Sequence, residues 1–506
     1  MYLGTIDILV LVLYLASAIA VGLLLGGRAK SVEAFLLGDR NLPWWAILGS
    51  IVATETSAAT VLSIPGEGYG PTGMKLLQLA LGYIVGRVLI VRYLLPLYFR
   101  GEMLTAYEVL DKRFGGAMRL AASLLFLVAR NVGDGLRLLL AAVVLEKLLG
   151  LPTVWRLWGM DAFVWSALVT GVVSTIYTFV GGMRSVIWND CIQFAVYVLG
   201  GILAVLVIAG KIPGGFGEVF RFAEASGKLQ MFDFRLSLSE PYTFWAGLVG
   251  GAVLTLGTHG TDHSMVQRYL SAKSQADAGR ALVASGVVVF LQFAMFLFIG
   301  VELACFFAHY PLLELKKDEV FAHFIINEFP KNTGLIGLML AAILASNLSS
   351  SLSSSAAAVV NDFYVPARKT PAPPGHLFRL TRWLTVAFGA LQIAIAIGAK
   401  GLYERDATVV SSALTVAGFA FGLLLGVFAL GIFTRRAGQW DALLGAVFGL
   451  AVLLVVQFGL PQLAAYKLIS ADIKVGYPWL ALIGAGTTFV VGWSASLLHP
   501  ARGTSA

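Results

Sequence analysis

Charged residues are scarce in this sequence. Lys, Arg, Asp and Glu make up 13% of the 506 residues, whereas hydrophobic residues make up 58% and the mean hydropathy is +0.83. A soluble chain of this size could not bury so much apolar surface in one or a few cores. Apolar runs of about 20 residues, long enough to cross the roughly 30 Å hydrocarbon core of a bilayer, recur along the chain. The composition excludes a soluble globular protein and predicts a polytopic membrane protein.

Cysteine is also scarce, and the motifs of common hydrolases are missing. Cys191 and Cys305 both lie within apolar runs, so neither a disulfide framework nor redox chemistry is expected. The sequence has no HExxH or GxSxG motif, and its six histidines are scattered, which argues against an intramembrane enzyme and an organic cofactor. The net charge of +8 reflects basic loops and requires no nucleic-acid partner.

Hydropathy predicts about thirteen membrane spans. Short loops after odd-numbered spans are rich in Lys and Arg, and the alternate short loops are poor in them, so the positive-inside rule places the N-terminus outside and the C-terminus in the cytoplasm. We expect an inner-membrane protein that retains its first span and carries no appended soluble domain. The predicted limits are 5–26, 44–66, 72–98, 118–148, 161–180, 187–210, 242–268, 278–308, 333–364, 376–399, 407–433, 438–459 and 476–498.

Two of these spans look interrupted. Span 2 has a polar stretch, 54–60, at its middle, and span 7 has four glycines between 250 and 260 beside His259 and Asp262. Secondary transporters place their binding sites at such interruptions, in corresponding positions of two repeats. The alternative is that glycine and serine only permit close helix packing.

Spans 2 and 7 each begin a group of five, which predicts an all-α, five-plus-five inverted repeat preceded by an extra helix. We expect one transporter domain over 1–506. Its parts are a leading helix and loop (1–43), two five-helix repeats (44–210 and 242–436), and two C-terminal helices with a short tail (437–506).

Span 9 is crowded with hydroxyl groups. Positions 346, 349, 350 and 353 share one helical face. Sodium accepts neutral oxygens from hydroxyls and freed carbonyls. Any single serine could instead bond to its own helix backbone, but the cluster favours ion ligation. Its members are Ser346, Asn347, Ser349, Ser350, Ser351, Ser353, Ser354 and Ser355.

Ionisable residues inside spans are costly and are therefore functional candidates. Arg130 and Asp134 are four residues apart and could form a structural pair, and Arg87 and Arg92 could likewise extend toward a membrane interface. The full set of candidates is Glu55, Arg130, Asp134, Arg137, Asp190, His259 and Asp262.

Several motifs, in order, resemble the sodium:solute symporter family from span 1 to span 11. They are FLLGDRNLPWW (35–45), GGMRSVIWNDCIQ (181–193), TDHSMVQRYLSAK (261–273), and NLSSSLSSS followed by NDFY (347–364). The resemblance implies a LeuT-type fold, alternating access and coupling to Na+ as the co-transported ion.

The resemblance also implies two sodium sites. The shared site corresponds to the backbone oxygens of Ala53, Thr56 and Ile343 and the side chains of Ser346 and Asn347. Family members usually carry Ser or Thr where Asn347 stands, and an amide oxygen can still ligate sodium. A second site, found in some branches, corresponds to Asp190, Ser346, Ser349 and Ser350.

The sequence constrains the identity of the solute less than it constrains the sodium sites. In the sialic-acid-like branch, polar residues of span 2, a Gln and an Arg hold the substrate, and Ser57, Thr60, Gln78 and Arg130 resemble that set. An Arg guanidinium suits a carboxylate. Glu55 instead resembles the acidic position of the proline-transporting branch, where it could meet an amine, bond hydroxyls or neutralise Arg130. His259 completes the predicted substrate site.

The combined prediction is a sodium-coupled symporter of a small carboxylate-bearing solute: a sialic-acid-like compound, a monocarboxylate or an amino acid. Its partners are the solute, sodium and the lipid bilayer, and no obligatory protein partner is inferred. The alternatives are a sodium-coupled sugar or polyol symporter, and a proton-coupled carrier of the same fold that titrates Glu55 or His259.

Overall fold

The computed structural model describes residues 4–26, 32–100, 103–149, 156–311, 316–345, 349–370, 372–403, 409–468, 470 and 474–498. Within these ranges the chain is helical, and its extended pairing is limited to two isolated bridges, Leu42 with Ala272 and Leu157 with Met160.

In the described ranges, ten α-helices lie before residue 226. They are α1 Thr5–Gly26, α2 Val32–Leu37, α3 Trp44–Glu55, α4 Ala58–Tyr69, α5 Leu77–Leu89, α6 Leu95–Tyr98, α7 Glu108–Phe114, α8 Gly116–Leu149, α9 Ala162–Lys211 and α10 Gly215–Ala225.

The second half continues the numbering, with π-helical turns at 246–250, 359–364 and 455–459. Its helices are α11 Gly251–Gly260, α12 His263–Leu270, α13 Gln275–His309, α14 Lys317–Glu328, α15 Leu335–Ala345, α16 Ser349–Ala358, α17 Val365–Ala367, α18 Pro374–Gly398, α19 Lys400–Tyr403, α20 Val409–Phe433, α21 Gln439–Leu454, α22 Leu460–Ala465 and α23 Tyr477–Leu497.

Seven helices in the described ranges are long and apolar enough to cross a membrane, or eight if the bent pair α3–α4 is one span. Two shorter apolar helices, Thr5–Val21 and Ala162–Ile176, accompany them. The predicted count of thirteen is not reproduced by length and composition alone. The difference arises partly because several predicted spans are short, broken or charged.

Both predicted interruptions are present. Between α3 and α4 the chain is extended at Thr56 (ψ 109°) and Ser57 (ψ 172°), and the helix axes differ by 62°. Between α11 and α12, Thr261 leaves the helix and Asp262 is extended, and the Asp262 carboxylate caps α12 by accepting from the Ser264 N–H at 2.7 Å. The interpretation of both spans as broken helices is confirmed.

Predicted spans 5 and 6 form one helix, α9, with a sharp change of direction at Gly182. Gly182 has φ 59° and ψ −172°, a region that is essentially restricted to glycine. A Cβ atom there would lie 2.8 Å from both the ring and the carbonyl oxygen of Phe35. The kink therefore depends on glycine for its dihedral angles and for the close approach of α2 at Phe35.

Gly182→Ala should destabilise the protein by about 2 kcal/mol or more, because it adds backbone strain to a steric clash. Gly210→Ala is the matched control, since Gly210 is an exposed helical residue of α9 with open space around its Cβ position. Thermal unfolding of the purified protein should show a lowered midpoint for the first variant alone. Equal midpoints would contradict the assigned role of Gly182.

Candidate functional site

The interrupted helices enclose a cavity of about 130 Å³ near the middle of the bundle. Its apolar wall includes Leu79, Tyr83, Leu254, Phe293 and Phe421. Its polar wall comes from the α3–α4 break, from α8 and from the α11–α12 break, and consists of Thr54, Glu55, Ser57, Thr60, Arg130, Arg137, Thr258, His259 and Asp262. The cavity is shaped for a small solute with an ionic or hydrogen-bonding group.

Glu55 is neutralised by Arg87. The Arg87 Nη2 donates to the Glu55 carboxylate, its Nη1 donates to Ser285 Oγ at 2.6 Å, and its guanidinium is fully buried. His259 Nε2 lies 3.5 Å from the same Glu55 oxygen and 3.3 Å from Arg87 Nη2, and its Nδ1 lies 3.0 Å from Thr258 Oγ1. The expectation that Arg87 reaches a membrane interface is wrong, because it is the buried partner of a cavity carboxylate.

A second charged cluster lies on α8. Arg130 contacts Asp134 at 3.1 Å, which confirms the predicted i,i+4 pair, and it also contacts Asp262 at 3.3 Å. Arg137 lies 3.1 Å from Asp134, and its side chain is 23% exposed, against 10% for Arg130. Arg130 therefore has two carboxylate neighbours, and Glu55 is not the group that neutralises it.

The formal charges of these two clusters cancel. Three guanidinium groups, on Arg87, Arg130 and Arg137, are within ion-pair distance of three carboxylates. Arg137 shares its carboxylate, Asp134, with Arg130. Among the cavity-lining arginines, Arg137 is thus the less neutralised and the more accessible.

The structure brings five of the six predicted substrate residues to the cavity wall: Glu55, Ser57, Thr60, Arg130 and His259. The sixth, Gln78, lies elsewhere. Its amide nitrogen donates to Lys75 O at 3.0 Å and Tyr242 O at 2.9 Å, and its amide oxygen accepts from the Asp233 N–H at 2.9 Å. Two of these three hydrogen bonds hold one segment of backbone, and the third joins Gln78 to Lys75 in the preceding helical turn.

That segment, residues 228–243, is named here the cover segment. Lys228 Nζ donates to the carbonyls of Tyr69 and Gly70 at 2.7 and 2.6 Å, at the C-terminal end of α4. Asp233 pairs with Arg235 at 2.6 Å, and this hydrogen bond holds the pKa of the Asp233 carboxyl well below its usual range. The cover segment is thereby tied to α4 and α5, the helices that line the cavity.

The break after α3 frees backbone carbonyls where the shared sodium site is predicted. In an unbroken helix the Ala53 carbonyl would accept from the Ser57 N–H, but that N–H donates to Thr60 Oγ1 at 3.2 Å. The first bond of α4 runs from Val61 N–H to Ser57 O, so the Thr56 carbonyl lies outside both helical ladders. These two carbonyls are available as ligands.

The other predicted ligands are only partly described. Ile343 is in the last described turn of α15, and Ser349 and Ser350 begin α16. Ser346 and Asn347 lie outside the described residues. The residues of the shared site and of the second site remain predictions.

Asp190 is buried within α9 and forms an ion pair with Arg268. The Arg268 Nη2 lies 3.0 Å from the Asp190 carboxylate, and Ser50 Oγ donates to the same oxygen. Arg268 is itself fully buried, and it also donates to Ser50 Oγ at 2.8 Å and to Ser264 O at 2.7 Å. Its position near the start of predicted span 6 also allowed a role as a helix cap, but α9 continues on both sides of Asp190, so that role is not supported.

Sequence reasoning missed the roles of three buried residues: Arg87, Arg268 and Gln292. Gln292 of α13 accepts from Thr56 Oγ1 at 2.9 Å, directly at the break. Both arginines fall within predicted spans. A basic residue inside an apolar run could have marked each of them as a functional candidate. Nothing in the local sequence of Gln292 distinguishes it from a packing residue.

Two broken helices around a charged cavity are the arrangement in which many secondary transporters form their binding site. The profile of the sodium:solute symporter family matches residues 35–449. The chain belongs to this family, whose members couple solute transport to sodium, and it is a transporter and not an enzyme. The resemblance seen in its motifs is confirmed.

Known relatives agree with this assignment. The chain is 30% identical to the human sodium/iodide cotransporter over 447 residues, which cover 87% of this chain and 67% of the relative. It is 28% identical to the human sodium-coupled monocarboxylate transporter 1 over a match that covers 86% of this chain and 70% of the relative. A solved structure of a Na+-coupled sialic acid symporter in a substrate-bound, outward-open state superposes with a TM-score of 0.84 at 25% identity, covering 98% and 99% of the two chains. The LeuT-type fold is therefore confirmed.

Gln78→Leu should release the cover segment, because it removes two hydrogen bonds to the backbone of that segment, at Tyr242 O and the Asp233 N–H. We expect faster tryptic cleavage after Lys228 and Arg235 in the folded protein. Gln392→Leu is a control at another fully buried glutamine that contacts Asn131 and Ser351 and not the cover segment. Unchanged proteolysis with a large loss of solute affinity would instead favour a direct role for Gln78 in solute binding.

Proposed function

We propose that this protein imports a small organic carboxylate together with sodium by alternating access. The observation that carries the proposal is the Arg137 guanidinium, which lines the cavity and shares its one described carboxylate neighbour with Arg130. A planar guanidinium binds a carboxylate through paired, charge-assisted hydrogen bonds. The apolar wall then accommodates the rest of a small solute.

The charge arrangement favours an anion without an ammonium group. An amine could bind at either of the cavity-lining carboxylates, Glu55 and Asp262, but Arg87 already pairs with the first and Arg130 with the second. An ammonium group would therefore have to compete with a buried guanidinium at each of them. This favours monocarboxylates and sialic-acid-like acids over amino acids.

Sodium binding is proposed at the carbonyls of Ala53, Thr56 and Ile343 with Ser346 and Asn347, and at Asp190 with Ser346, Ser349 and Ser350. The freed carbonyls at the α3–α4 break support the first set. A bound carboxylate adds a negative charge to a cavity whose charged groups otherwise cancel. A nearby sodium ion would offset that charge, which provides an electrostatic reason for coupled binding.

The proposal includes the orientation derived from the loops, with the N-terminus outside, the C-terminus in the cytoplasm and the protein in the inner membrane. It also keeps the two repeats at 44–210 and 242–436. In this orientation the cover segment lies on the outer side of the cavity.

Thermal shift of the purified protein tests the coupling. Propionate, lactate, alanine and glucose would each be added in sodium chloride and in choline chloride, because a ligand of the native state raises stability by mass action. We expect a rise of a few degrees for propionate and lactate, the two acids without an ammonium group, in sodium alone. A carboxylate shift of equal size in both salts would contradict sodium coupling and direct attention to protons at Glu55 and His259. A sodium-dependent shift with glucose alone would favour a sugar symporter.

Arg137→Gln should weaken carboxylate binding by about tenfold or more, since a hydrogen bond to a charged group contributes about 1.5–3 kcal/mol. Its sodium-induced shift should remain. Arg92→Gln is the matched control, because Arg92 is exposed and lies away from the cavity. Titrating the carboxylate identified by the thermal-shift panel against each variant gives the comparison, and wild-type affinity in Arg137→Gln would exclude this residue as the anchor.

A further inference from the structure

The leading helix α1 is clamped to the start of α15 by one buried carboxylate. Asp7 is fully buried, and its oxygens accept from the backbone N–H groups of Asn332 at 3.1 Å, Gly334 at 2.9 Å and Gly337 at 3.4 Å. The first N–H groups of a helix need an acceptor from outside the helix. Gly334 precedes α15 and has no side chain that could cap it, so Asp7 supplies the cap from another helix.

The clamp is reciprocal and tightly packed. The side-chain oxygen of Asn332 accepts from the Ile6 N–H at 2.8 Å, so each element caps the other. A Cβ atom on Gly337 would lie 2.1 Å from the Asp7 carbonyl oxygen, which means that the two backbones touch. The start of α15 therefore cannot shift relative to α1 without breaking these contacts.

The same helix also contacts α9 beside Asp190. Near its other end, the carbonyl of Ala18 accepts from the side-chain amide of Asn189 at 3.2 Å. Asn189 immediately precedes Asp190 in the sequence. One rigid helix thus touches both of the elements, α15 and α9, that carry predicted sodium ligands.

We infer that α1 is a brace that sets the geometry of the sodium sites, and that Asp7 is a positioning residue for sodium binding. The inference rests on the proposed sodium ligands at Ile343 and Asp190. Ile343 lies eight residues beyond the start of α15, or roughly 12 Å along a rigid helix. A tilt of α15 at the clamp is therefore carried to the ligand position, and small displacements of an ion ligand reduce affinity.

Sodium alone is the probe that tests this role. The purified full-length protein would be titrated with sodium chloride, with choline chloride holding the ionic strength constant, and the midpoint of the sodium-induced rise in melting temperature recorded. Asp7→Asn should raise that midpoint by about threefold or more, because it removes a charge and one acceptor from the clamp. Asn332→Gly, which tolerates the positive φ of 57° at this position, should shift it in the same direction by less.

Asp161→Asn is the matched control. Asp161 also caps a helix, the part of α9 before the Gly182 kink, by accepting from the Val164 N–H at 2.9 Å, and it pairs with Lys400 at 3.2 Å. None of these described hydrogen bonds and ion pairs reaches α1 or α15. Asp161→Asn should lower the melting temperature and leave the sodium midpoint unchanged. Wild-type midpoints in both Asp7→Asn and Asn332→Gly would overturn the inference and leave α1 a purely structural helix. Absence of any sodium-induced rise in the wild-type protein would instead overturn the proposed sodium sites themselves.

Discussion

The need to neutralise charge inside a membrane protein governs the centre of this structure. Ionised groups in a low-dielectric interior are tolerated only when each has a partner. Glu55 with Arg87, Arg130 with Asp134 and Asp262, and Asp190 with Arg268 meet this requirement through contacts between different helices or successive helical turns. These pairs hold the broken helices around the cavity and leave Arg137 as its least neutralised cation.

The helix breaks create the second set of functional groups, and the two breaks differ in how their carbonyls are used. After α11 the carbonyls of His259, Gly260 and Thr261 accept from the hydroxyls of the buried tyrosines Tyr269, Tyr98 and Tyr107. After α3 the carbonyls of Ala53 and Thr56 lack their helical partners. Freed carbonyls bind either hydrogen-bond donors or cations. The carbonyls of the α11–α12 break therefore serve as a structural junction, whereas those of the α3–α4 break are suited to an ion.

Much of the fold was predictable from particular residues. The polar stretch at 54–60 and the glycines before His259 identified both breaks, because these residues disfavour a continuous apolar helix. The i,i+4 spacing identified the Arg130–Asp134 pair. The role of Gln78 was not predictable, because its partners Tyr242 and Asp233 are more than 150 residues away in sequence. The count of thirteen spans stays a prediction, because length and composition identify seven or eight spans within the described residues alone.

The sequence by itself determined the class of protein, because composition, hydrophobic run length and local motif order are properties of the chain that no tertiary contact changes. Only the tertiary structure decided which charges neutralise each other. Arg87 and Glu55 are 32 residues apart, and Arg268 and Asp190 are 78 apart. Residues this far apart are brought into contact by helix packing, and no periodicity in the sequence encodes that choice. The accessible guanidinium of Arg137 in the cavity is therefore a consequence of the fold.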